Sequence, residues 1–395
     1  MTKKAKRLLI VLVSVLISAH IFALPMSEAA ATAAQPPKIL LKQVIYYVFE
    51  DSKNLLQIGI MGENGENKKV LTKEGNNWCP TVSPDGERVA FFSDRSGFIN
   101  IFVMYVDGTQ QKQLSYDEVE NEKIDLYNRG QLSWTGDSLR LLFLKRGNIL
   151  QIDLNGENQT SFTDSNDVTT FKMSPDNSRI IYTREKTRQH NGLWLYLYEG
   201  AGINDVKEKQ ITPSSIINAS FDWGSDNTSL AYFNNRGIFT ISCFGLSNKL
   251  IKTTYYINND VVWSQTQKDP NENNIAFISD ENNGPNIWIT KPDGTNLTQI
   301  TKNGGASPCW FPDGKNLLYI EENDIFKYDV SAKEMKKLTY YFNSYYPVVA
   351  NIKMVITKEH KPSEISPLKL ATPGTDGKSV PTSLPEKSTG VANEK

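Results

Sequence analysis

Few residues in this sequence could carry out acid–base or nucleophilic chemistry. The 395 residues include three histidines, and His20 lies in an apolar stretch near the N-terminus. His190 lies in the polar segment "REKTRQHNG", and His360 lies where the sequence turns rich in Pro and Ser. A Ser-His-Asp triad needs a histidine held beside its nucleophile, and no Gly-x-Ser-x-Gly motif occurs. We therefore expect no histidine-based hydrolase and predict no catalytic residues.

Sulfur chemistry has equally little support. Cys79, Cys243 and Cys309 are too few and too widely separated for a disulfide framework. With two distant histidines they also lack the ligand spacing of a zinc site. We interpret them as separate thiols, with a single disulfide as the alternative outside the cytoplasm.

Carboxylates are plentiful, but most lie in turn motifs. Asp85, Asp176 and Asp313 follow a Pro in "SPDG"-like segments, and Asp107 and Asp293 precede a Gly in a second motif. Asp favours turns because its side chain accepts hydrogen bonds from nearby backbone N–H groups. These residues are therefore predicted to shape turns.

Calcium is the one metal that the sequence leaves open as a possible ligand. The segment "SDENNGPN" offers oxygen ligands, as do "DSNDV" (164–168) and "NND" (258–260). In the first segment these ligands are Asp280, Glu281, Asn282 and Asn283. None of the segments has the spacing of a defined calcium loop. We therefore predict no cofactor, with calcium as the alternative.

The turn motifs recur because the sequence repeats. "CPTVSPDGERVAFFS" (79–93) aligns with "TFKMSPDNSRIIYTRE" (170–185) and "PCWFPDGKNLLYIE" (308–321). The pivots of six such copies are Val82, Trp134, Met173, Trp223, Trp263 and Trp310. They recur about every 40 to 50 residues, the spacing of a four-stranded propeller blade.

Each repeat reads as four antiparallel strands: an inner strand, a buried apolar strand, an alternating strand and a polar outer strand. We predict an all-β propeller of seven blades, with six or eight as alternatives. The first repeat lacks an inner strand, and "YYPVVANIKMVI" aligns Pro347 and Val349 with Pro80 and Val82. The C-terminal strand near 345–350 is therefore predicted to close the ring, which removes exposed sheet edges.

The two ends of the chain differ from the repeats. A basic start, the apolar run "LLIVLVSVLISAHIFALP" and small residues predict a signal peptide over 1–33. An uncleaved anchor is the alternative, because the apolar run is nearly long enough to span a bilayer. We assign 34–42 to a linker, 43–360 to the propeller and 361–395 to a disordered tail. We expect a secreted or extracytoplasmic protein, in the periplasm or cell envelope, with no stable membrane span after cleavage.

The charge pattern excludes one class of partner. The formal net charge is −1, and no Lys/Arg block or basic stripe occurs. Nucleic-acid binding is therefore not expected.

The repeat pattern, with its "SPDG" and "DGT" turns, resembles that of TolB-type β-propellers and of the propeller domains of prolyl-oligopeptidase-like peptidases. The resemblance covers about 43–357. TolB itself carries an α/β domain before its propeller, and the peptidases carry a hydrolase domain; neither is seen in this sequence. The resemblance implies a propeller that acts as a protein-binding platform.

Long, Tyr-rich segments fall on one predicted face of the propeller. Loops on a rigid scaffold often carry function, and Tyr is enriched at interfaces. The candidate binding residues are Tyr116, Tyr127, Arg129, Tyr255, Tyr256, Tyr340, Tyr341 and Tyr345. Packing between blades is the alternative for several of them.

These observations favour a non-catalytic interaction platform whose partner is a protein or cell-wall component. The alternatives are a calcium-dependent propeller enzyme of lactonase or lyase type and a glycan-binding propeller. A monomer is expected.

Overall fold

The computed structural model of the chain describes ten segments of the sequence. They are residues 38–116, 132–184, 192–197, 208–212, 220–234, 236–254, 260–266, 269–281, 284–340 and 343–356. Within them the strands form seven four-stranded antiparallel sheets. The predicted all-β propeller of seven blades is confirmed.

The first three blades take their strands in chain order. Blade 1 contains β1 (Lys38–Glu50), β2 (Leu56–Gly62) and β3 (Lys69–Val70). Blade 2 contains β4 (Asn77–Val82), β5 (Arg88–Ser93), β6 (Asn100–Tyr105) and β7 (Lys112–Gln113). Blade 3 contains β8 (Leu132–Trp134), β9 (Arg140–Lys145), β10 (Asn148–Asp153) and β11 (Thr160–Ser161).

The remaining blades follow the same plan. Blade 4 contains β12 (Val168–Met173), β13 (Arg179–Arg184), β14 (Gly192–Leu197) and β15 (Lys209–Gln210). Blade 5 contains β16 (Phe221–Trp223), β17 (Ser229–Asn234), β18 (Gly237–Ser242) and β19 (Lys249–Thr253). Blade 6 contains β20 (Val261–Trp263), β21 (Ile275–Ser279), β22 (Asn286–Thr290) and β23 (Thr298–Gln299), with a short 3₁₀ helix at Pro270–Glu272. Blade 7 contains β24 (Ala306–Trp310), β25 (Asn316–Glu321), β26 (Asp324–Asp329) and β27 (Glu334–Lys337).

The ring closes through the last strand, β28 (Ser344–Ile356), as predicted from its alignment with β4. It pairs antiparallel with β1, which places it innermost in blade 1. The pairing extends to Lys38↔Ile356, so β1 begins earlier than the boundary predicted at residue 43. Closure thus joins the two ends of the propeller in one sheet.

Three neighbouring inner strands share a bulge. Cys79, Ser307 and Tyr346 have φ values of 51°, 54° and 48°, and each precedes a proline. The pairing register shifts at each of these sites, in β4, β24 and β28. An extra residue in one strand of a pair produces such a bulge.

The turn after each inner strand is organised by its Asp and Ser. In blade 2, Arg88 N–H donates to Ser83 Oγ at 2.9 Å, and Glu87 N–H donates to Asp85 Oδ1 at 3.1 Å. The turns also contact one another, because Asp85 N–H donates to Ser138 Oγ of blade 3 at 3.0 Å. The repeated motif therefore makes hydrogen bonds both within its own turn and to the turn of the neighbouring blade.

Among the described residues, the Ser or Thr that ends the repeat makes, in six of the seven blades, a buried contact that we call the clasp. Its hydroxyl accepts the N–H of a residue in the third strand and, in most blades, donates to a side chain beside that residue. In blade 6, Ile287 N–H donates to Thr301 Oγ1 at 2.9 Å, and Thr301 donates to Asn286 Oδ1 at 3.2 Å. The clasp hydroxyls that accept this N–H belong to Thr72, Ser115, Thr163, Thr212, Thr301 and Thr339.

The repeat tryptophans pack between blades, as expected. Trp134, Trp223 and Trp263 are buried. The Trp134 indole N–H donates to Thr81 O of blade 2 at 3.0 Å, and the Trp223 N–H donates to Lys172 O of blade 4 at 3.2 Å. These tryptophans therefore link each inner strand to the one before it.

Lysines on outer strands link the blades at the rim. Lys69, Lys112, Lys209 and Lys249 each donate to a backbone carbonyl of the following blade, at 2.7 to 3.1 Å. Lysine on an edge strand also discourages pairing with other chains. The described part of the chain contains no apolar helix of membrane-spanning length.

Candidate functional site

The propeller has two faces that differ in the segments they carry. Connections from second to third strands, and from outer strands to the next blade, emerge on one side, which we call the loop face. The short turns "SPDG" and "DGT" emerge on the opposite side, which we call the turn face. This division follows from the antiparallel order of the four strands in each blade.

Tyr116 and Tyr340 hold equivalent positions on the loop face. Tyr116 directly follows the clasp residue Ser115 in blade 2, and Tyr340 directly follows the clasp residue Thr339 in blade 7. Their exposed fractions are 74% and 58%. Two flat aromatic side chains therefore stand at the same point of two blades that flank blade 1.

A buried hydrogen-bond network links the residue before Tyr116 to the backbone of a second exposed aromatic residue. Ser115 Oγ donates to Asn100 Oδ1 at 3.0 Å, and Asn100 Nδ2 donates to Phe98 O at 3.2 Å. Phe98 is 57% exposed. The clasp therefore fixes the backbone on both sides of the pair Phe98 and Tyr116.

Arg95 braces the same corner of blade 2. Its guanidinium carbon lies 4.7 Å from the Phe102 ring centroid. Nη2 donates to Asn77 Oδ1, and Nη1 donates to Gln111 Oε1, both at 2.6 Å. A guanidinium engaged in this way is a structural group of the loop face.

Tyr340 lies in a charged environment. Lys337 Nζ lies 5.5 Å from its ring centroid and 2.7 Å from Asp324 Oδ2. The hydrogen bond from Lys337 to Asp324 raises the pKa of Lys337. Asp324 is buried and also accepts the clasp hydrogen bond of Thr339 at 2.9 Å. The lysine therefore stays cationic against the tyrosine ring, which is a cation–π geometry.

Acidic side chains border Tyr340 at the junction of blades 7 and 1. Burial and the neighbouring Glu322 carboxylate raise the pKa of Glu321. Asn343 Nδ2 donates to Glu50 Oε2 at 3.0 Å. Ser344 N–H donates to Asn323 O at 2.9 Å, which connects the end of blade 7 to β28. Glu321 and Glu50 thus lie at the ends of β25 and β1 on the same face of the propeller as Tyr340.

The other predicted binding residues have different outcomes. Tyr345 is partly buried and packs against the largest core cluster, with its ring 6.4 Å from that of Tyr346. Tyr345 therefore takes a packing position, which was the alternative to a binding role. The remaining candidates lie outside the described residues; they are Tyr127, Arg129, Tyr255, Tyr256 and Tyr341.

Sequence reasoning missed Phe98 and Lys337. Phe98 directly follows the polar segment "SDRSG" in the connection between β5 and β6, and that contrast could have identified it. Lys337 carried no such signal, because outer strands are rich in lysine throughout the repeats. The contact of Lys337 with Tyr340 depends on the fold of blade 7.

The candidate calcium ligands take part in local contacts. Asp280 accepts a hydrogen bond from Thr254 Oγ1 at 3.3 Å, and Glu281 pairs with Lys252 Nζ at 2.8 Å. Asp167 pairs with Arg184 Nε at 2.9 Å. Within the described segments no group of three or more His, Cys, Asp or Glu residues could hold a metal ion. The described residues do not include Asn282, Asn283 or positions 258–259 of the "NND" segment.

The turn carboxylates and the cysteines are structural. Partial burial raises the pKa of Asp176, but hydrogen bonds from Ser174 and Ser178 outweigh it and leave the pKa below its ordinary value. None of the three cysteines forms a disulfide bond. Burial raises the pKa of Cys243, so its reactive thiolate is disfavoured.

Comparison with known proteins supports the repeat assignment. Residues 42–201 match the family model of the TolB β-propeller domain. The Tol-Pal system protein TolB of Helicobacter pylori (strain J99) is 27% identical over 151 residues, which cover 35% of this chain and 32% of that protein. The protein of the same name from Ruthia magnifica is 38% identical over 85 residues, covering 20% of this chain and 19% of its own length.

The solved structures show the same fold. TolB from Acinetobacter baumannii superposes with a TM-score of 0.50 at 15% identity, covering 78% of this chain and 66% of that structure.

The chain matches at most about a third of the length of the two curated relatives. The matched region includes the repeat motifs and the clasp residues of the first three blades. The chain is therefore a seven-bladed β-propeller, and part of it is similar to the TolB β-propeller domain.

Proposed function

We propose that the chain is an extracytoplasmic interaction platform that binds a protein partner through its loop face. The observation that carries the proposal is the equivalent placement of Tyr116 and Tyr340, both exposed and both adjacent to a buried clasp. Tyrosine offers a large contact area at a small cost in side-chain entropy. Attachment to a rigid network lowers that cost further.

The composition of this surface favours a protein over a small ligand. Exposed aromatic residues of the loop face alternate with the charged groups Lys337, Glu321 and Glu322. Aromatic anchors within a polar rim are typical of protein interfaces. The curated relatives are named for the Tol-Pal system, a name that denotes an assembly of proteins. The predicted signal peptide supports a location outside the cytoplasm.

The test compares tyrosines on the two faces. Tyr116→Ala and Tyr340→Ala alter the loop face, whereas Tyr105→Ala alters a tyrosine that is 44% exposed at the turn face. The wild-type chain is used to capture proteins from an envelope extract of the producing organism, and each captured protein is purified and titrated against all variants. We expect each loop-face variant to weaken binding at least about 10-fold and Tyr105→Ala to leave it within about twofold.

Two results would overturn the proposal. One is equal affinity of the wild-type chain and the Tyr116→Ala, Tyr340→Ala double variant for the purified partner. The other is a greater loss with Tyr105→Ala than with either loop-face variant. Circular dichroism of all the variants establishes that the comparison is made between folded proteins.

A further inference from the structure

Blade 1 carries a two-stranded extension that the other blades lack. β1 and β28 each have 13 residues, whereas the second strands of the other blades have 5 or 6. β2 pairs with β1 only from Val44 onward, but β28 continues to pair as far as Lys38. Residues 38–43 and 351–356 therefore form an antiparallel extension, which we call the ribbon.

The ribbon projects from the turn face. β1 runs from the ribbon to Glu50, which precedes a loop-face connection. On the ribbon itself, Lys353 N–H donates to Gly86 O at 3.0 Å, and Gly86 belongs to a turn-face turn. Both described ends of the chain therefore leave the propeller on the side opposite Tyr116 and Tyr340.

One edge of the ribbon has unpaired backbone groups. Ile58 N–H donates to Thr72 Oγ1, so the backbone groups of Ile58 face the outer strand. The backbone groups of its neighbours Gln57 and Gly59 therefore face β1. Their partners in β1 are Phe49 and Tyr47, so odd-numbered residues of β1 face the β2 side. Because this alternation continues along a strand, the backbone groups of Leu41 and Gln43 face a side on which no described strand pairs with them.

The ribbon combines exposed leucines with positive charge. Leu40 and Leu41 are 46% and 68% exposed, and they project on opposite sides because neighbouring residues of a strand alternate. The ribbon contains three lysines and no acidic residue, in the sequences "KILLKQ" and "NIKMVI". Lys353 pairs with Glu87 of the adjacent turn at 3.4 Å. The ribbon is therefore apolar and cationic at its tip.

We propose that the ribbon docks on an anionic lipid surface, with the leucines in the interface and the lysines against the headgroups. Anionic membranes attract lysines near their surface, and exposed apolar side chains add affinity. The excess of lysine over acidic residues in the ribbon complements the negative charge of such a surface. Docking in this way directs the loop face away from the membrane.

The test places a fluorescent amino acid at one of two positions, one within β28 and one directly before it, in the chain as the cell exports and processes it. Asn351 on the ribbon and Asn343 at the loop face are both exposed asparagines. Eight residues of strand separate them, about 26 Å. Vesicles containing brominated phosphatidylglycerol quench a fluorophore that lies at the bilayer surface. We expect quenching at position 351 to exceed that at position 343 at least about threefold.

Two further arms identify the groups responsible. Leu40→Ser with Leu41→Ser lowers quenching at position 351 at least about twofold, whereas Leu246→Ser with Leu250→Ser, at exposed leucines of blade 5, leaves it unchanged. Brominated phosphatidylcholine alone gives weaker quenching at position 351. Equal quenching at 351 and 343, no quenching at either position, or no effect of the Leu40 and Leu41 changes would overturn the proposal. So would a change from monomer to dimer that depends on the ribbon leucines, because the open edge would then serve a second copy.

Discussion

The tryptophans that end the inner strands differ in a single hydrogen bond. Trp134 and Trp223 donate to a carbonyl of the preceding blade. The Trp263 indole N–H has no acceptor among the described residues. Trp134 and Trp263 are nevertheless buried to the same extent. A comparison of Trp134 with Trp263 therefore separates the stability contributed by the hydrogen bond from that contributed by packing of the indole ring.

We expect Trp134→Phe to destabilise the protein more than Trp263→Phe. Both changes remove similar volume from the core, but only the first leaves the Thr81 carbonyl without its donor. The difference should be about 1 kcal/mol, measured by urea denaturation. Equal losses of stability would show that the hydrogen bond between blades contributes nothing.

The turn carboxylates predict how stability depends on pH. Burial raises the pKa of Asp226, but hydrogen bonds from Ser229 and Thr228 outweigh it, so the pKa lies below its ordinary value. A lowered folded-state pKa means that the unfolded chain binds the proton more readily. The contribution is therefore complete above the unfolded pKa of about 3.9 and is lost as the pH falls through the folded value.

Asp226→Asn should lower stability by about 1–3 kcal/mol at pH 7, and this difference should shrink as the pH falls below about 4. Asp293→Asn is the matched control, because Asp293 also accepts turn hydrogen bonds from Thr295 but is exposed. Its effect should be smaller. Thermal melts from pH 3 to 7 would refute the argument if the Asp226→Asn deficit did not change with pH.

At the scale of the element, the clasp connects the end of the outer strand to the third strand of its own blade in six of the seven blades, within the part of the chain that the structure describes. Its hydroxyl is buried and takes two roles, as the acceptor of a backbone N–H and as a donor to a neighbouring side chain. Val has nearly the same shape as Thr but fills neither role. The clasp also fixes the backbone next to Tyr116 and Tyr340, so it connects blade stability with the candidate site.

Thr301→Val should cost about 1–3 kcal/mol, because it leaves the buried Ile287 N–H without its acceptor and removes one of the hydrogen bonds that Asn286 Oδ1 accepts. Thr298→Val, on the outer strand of the same blade, removes only a hydrogen bond to Asn296 O at a half-buried position. That control should change stability by less than about 0.5 kcal/mol. Similar losses for the two variants would contradict the role given to the clasp.

The sequence predicted the elements well where the signal was local. The second strands beginning at Arg88, Arg179, Ser229 and Asn316 each follow an Asp-containing turn of the repeat. Pro347 predicted ring closure because the proline sits beside the same bulge in β4 and β28. These signals depend on backbone conformation, which neighbouring residues largely decide.

The surface was harder to predict because exposure depends on the whole ring. Tyr345 and Tyr340 lie in one tyrosine-rich segment, yet Tyr345 packs into the core and Tyr340 is exposed. The alternation of a strand determines which side Tyr345 faces, but only the adjacent blade makes that side an interior. For the same reason the sequence did not predict the ribbon, since its pairing joins residues more than 300 positions apart.

At the scale of the whole molecule, stability depends on the joining of the two ends in blade 1. Removal of residues 344–395 would leave the β28 side of β1 unpaired and open the ring. We expect this truncation to abolish the cooperative thermal transition. Removal of 361–395 alone should leave the Tm within about 2 °C of the wild type. A truncated chain without β28 that melts like the wild type would show that closure is dispensable.

The two faces of the propeller carry different features. The loop face presents Tyr116 and Tyr340, and the ribbon projects from the opposite face. The measurement that tests this account most directly is hydrogen–deuterium exchange of the chain with and without its purified partner. We predict protection at 93–100, 321–324 and 338–340 on the loop face, and none at 83–88 or 105–112 on the turn face. Protection of the turn-face segments, with the loop-face segments unchanged, would contradict it.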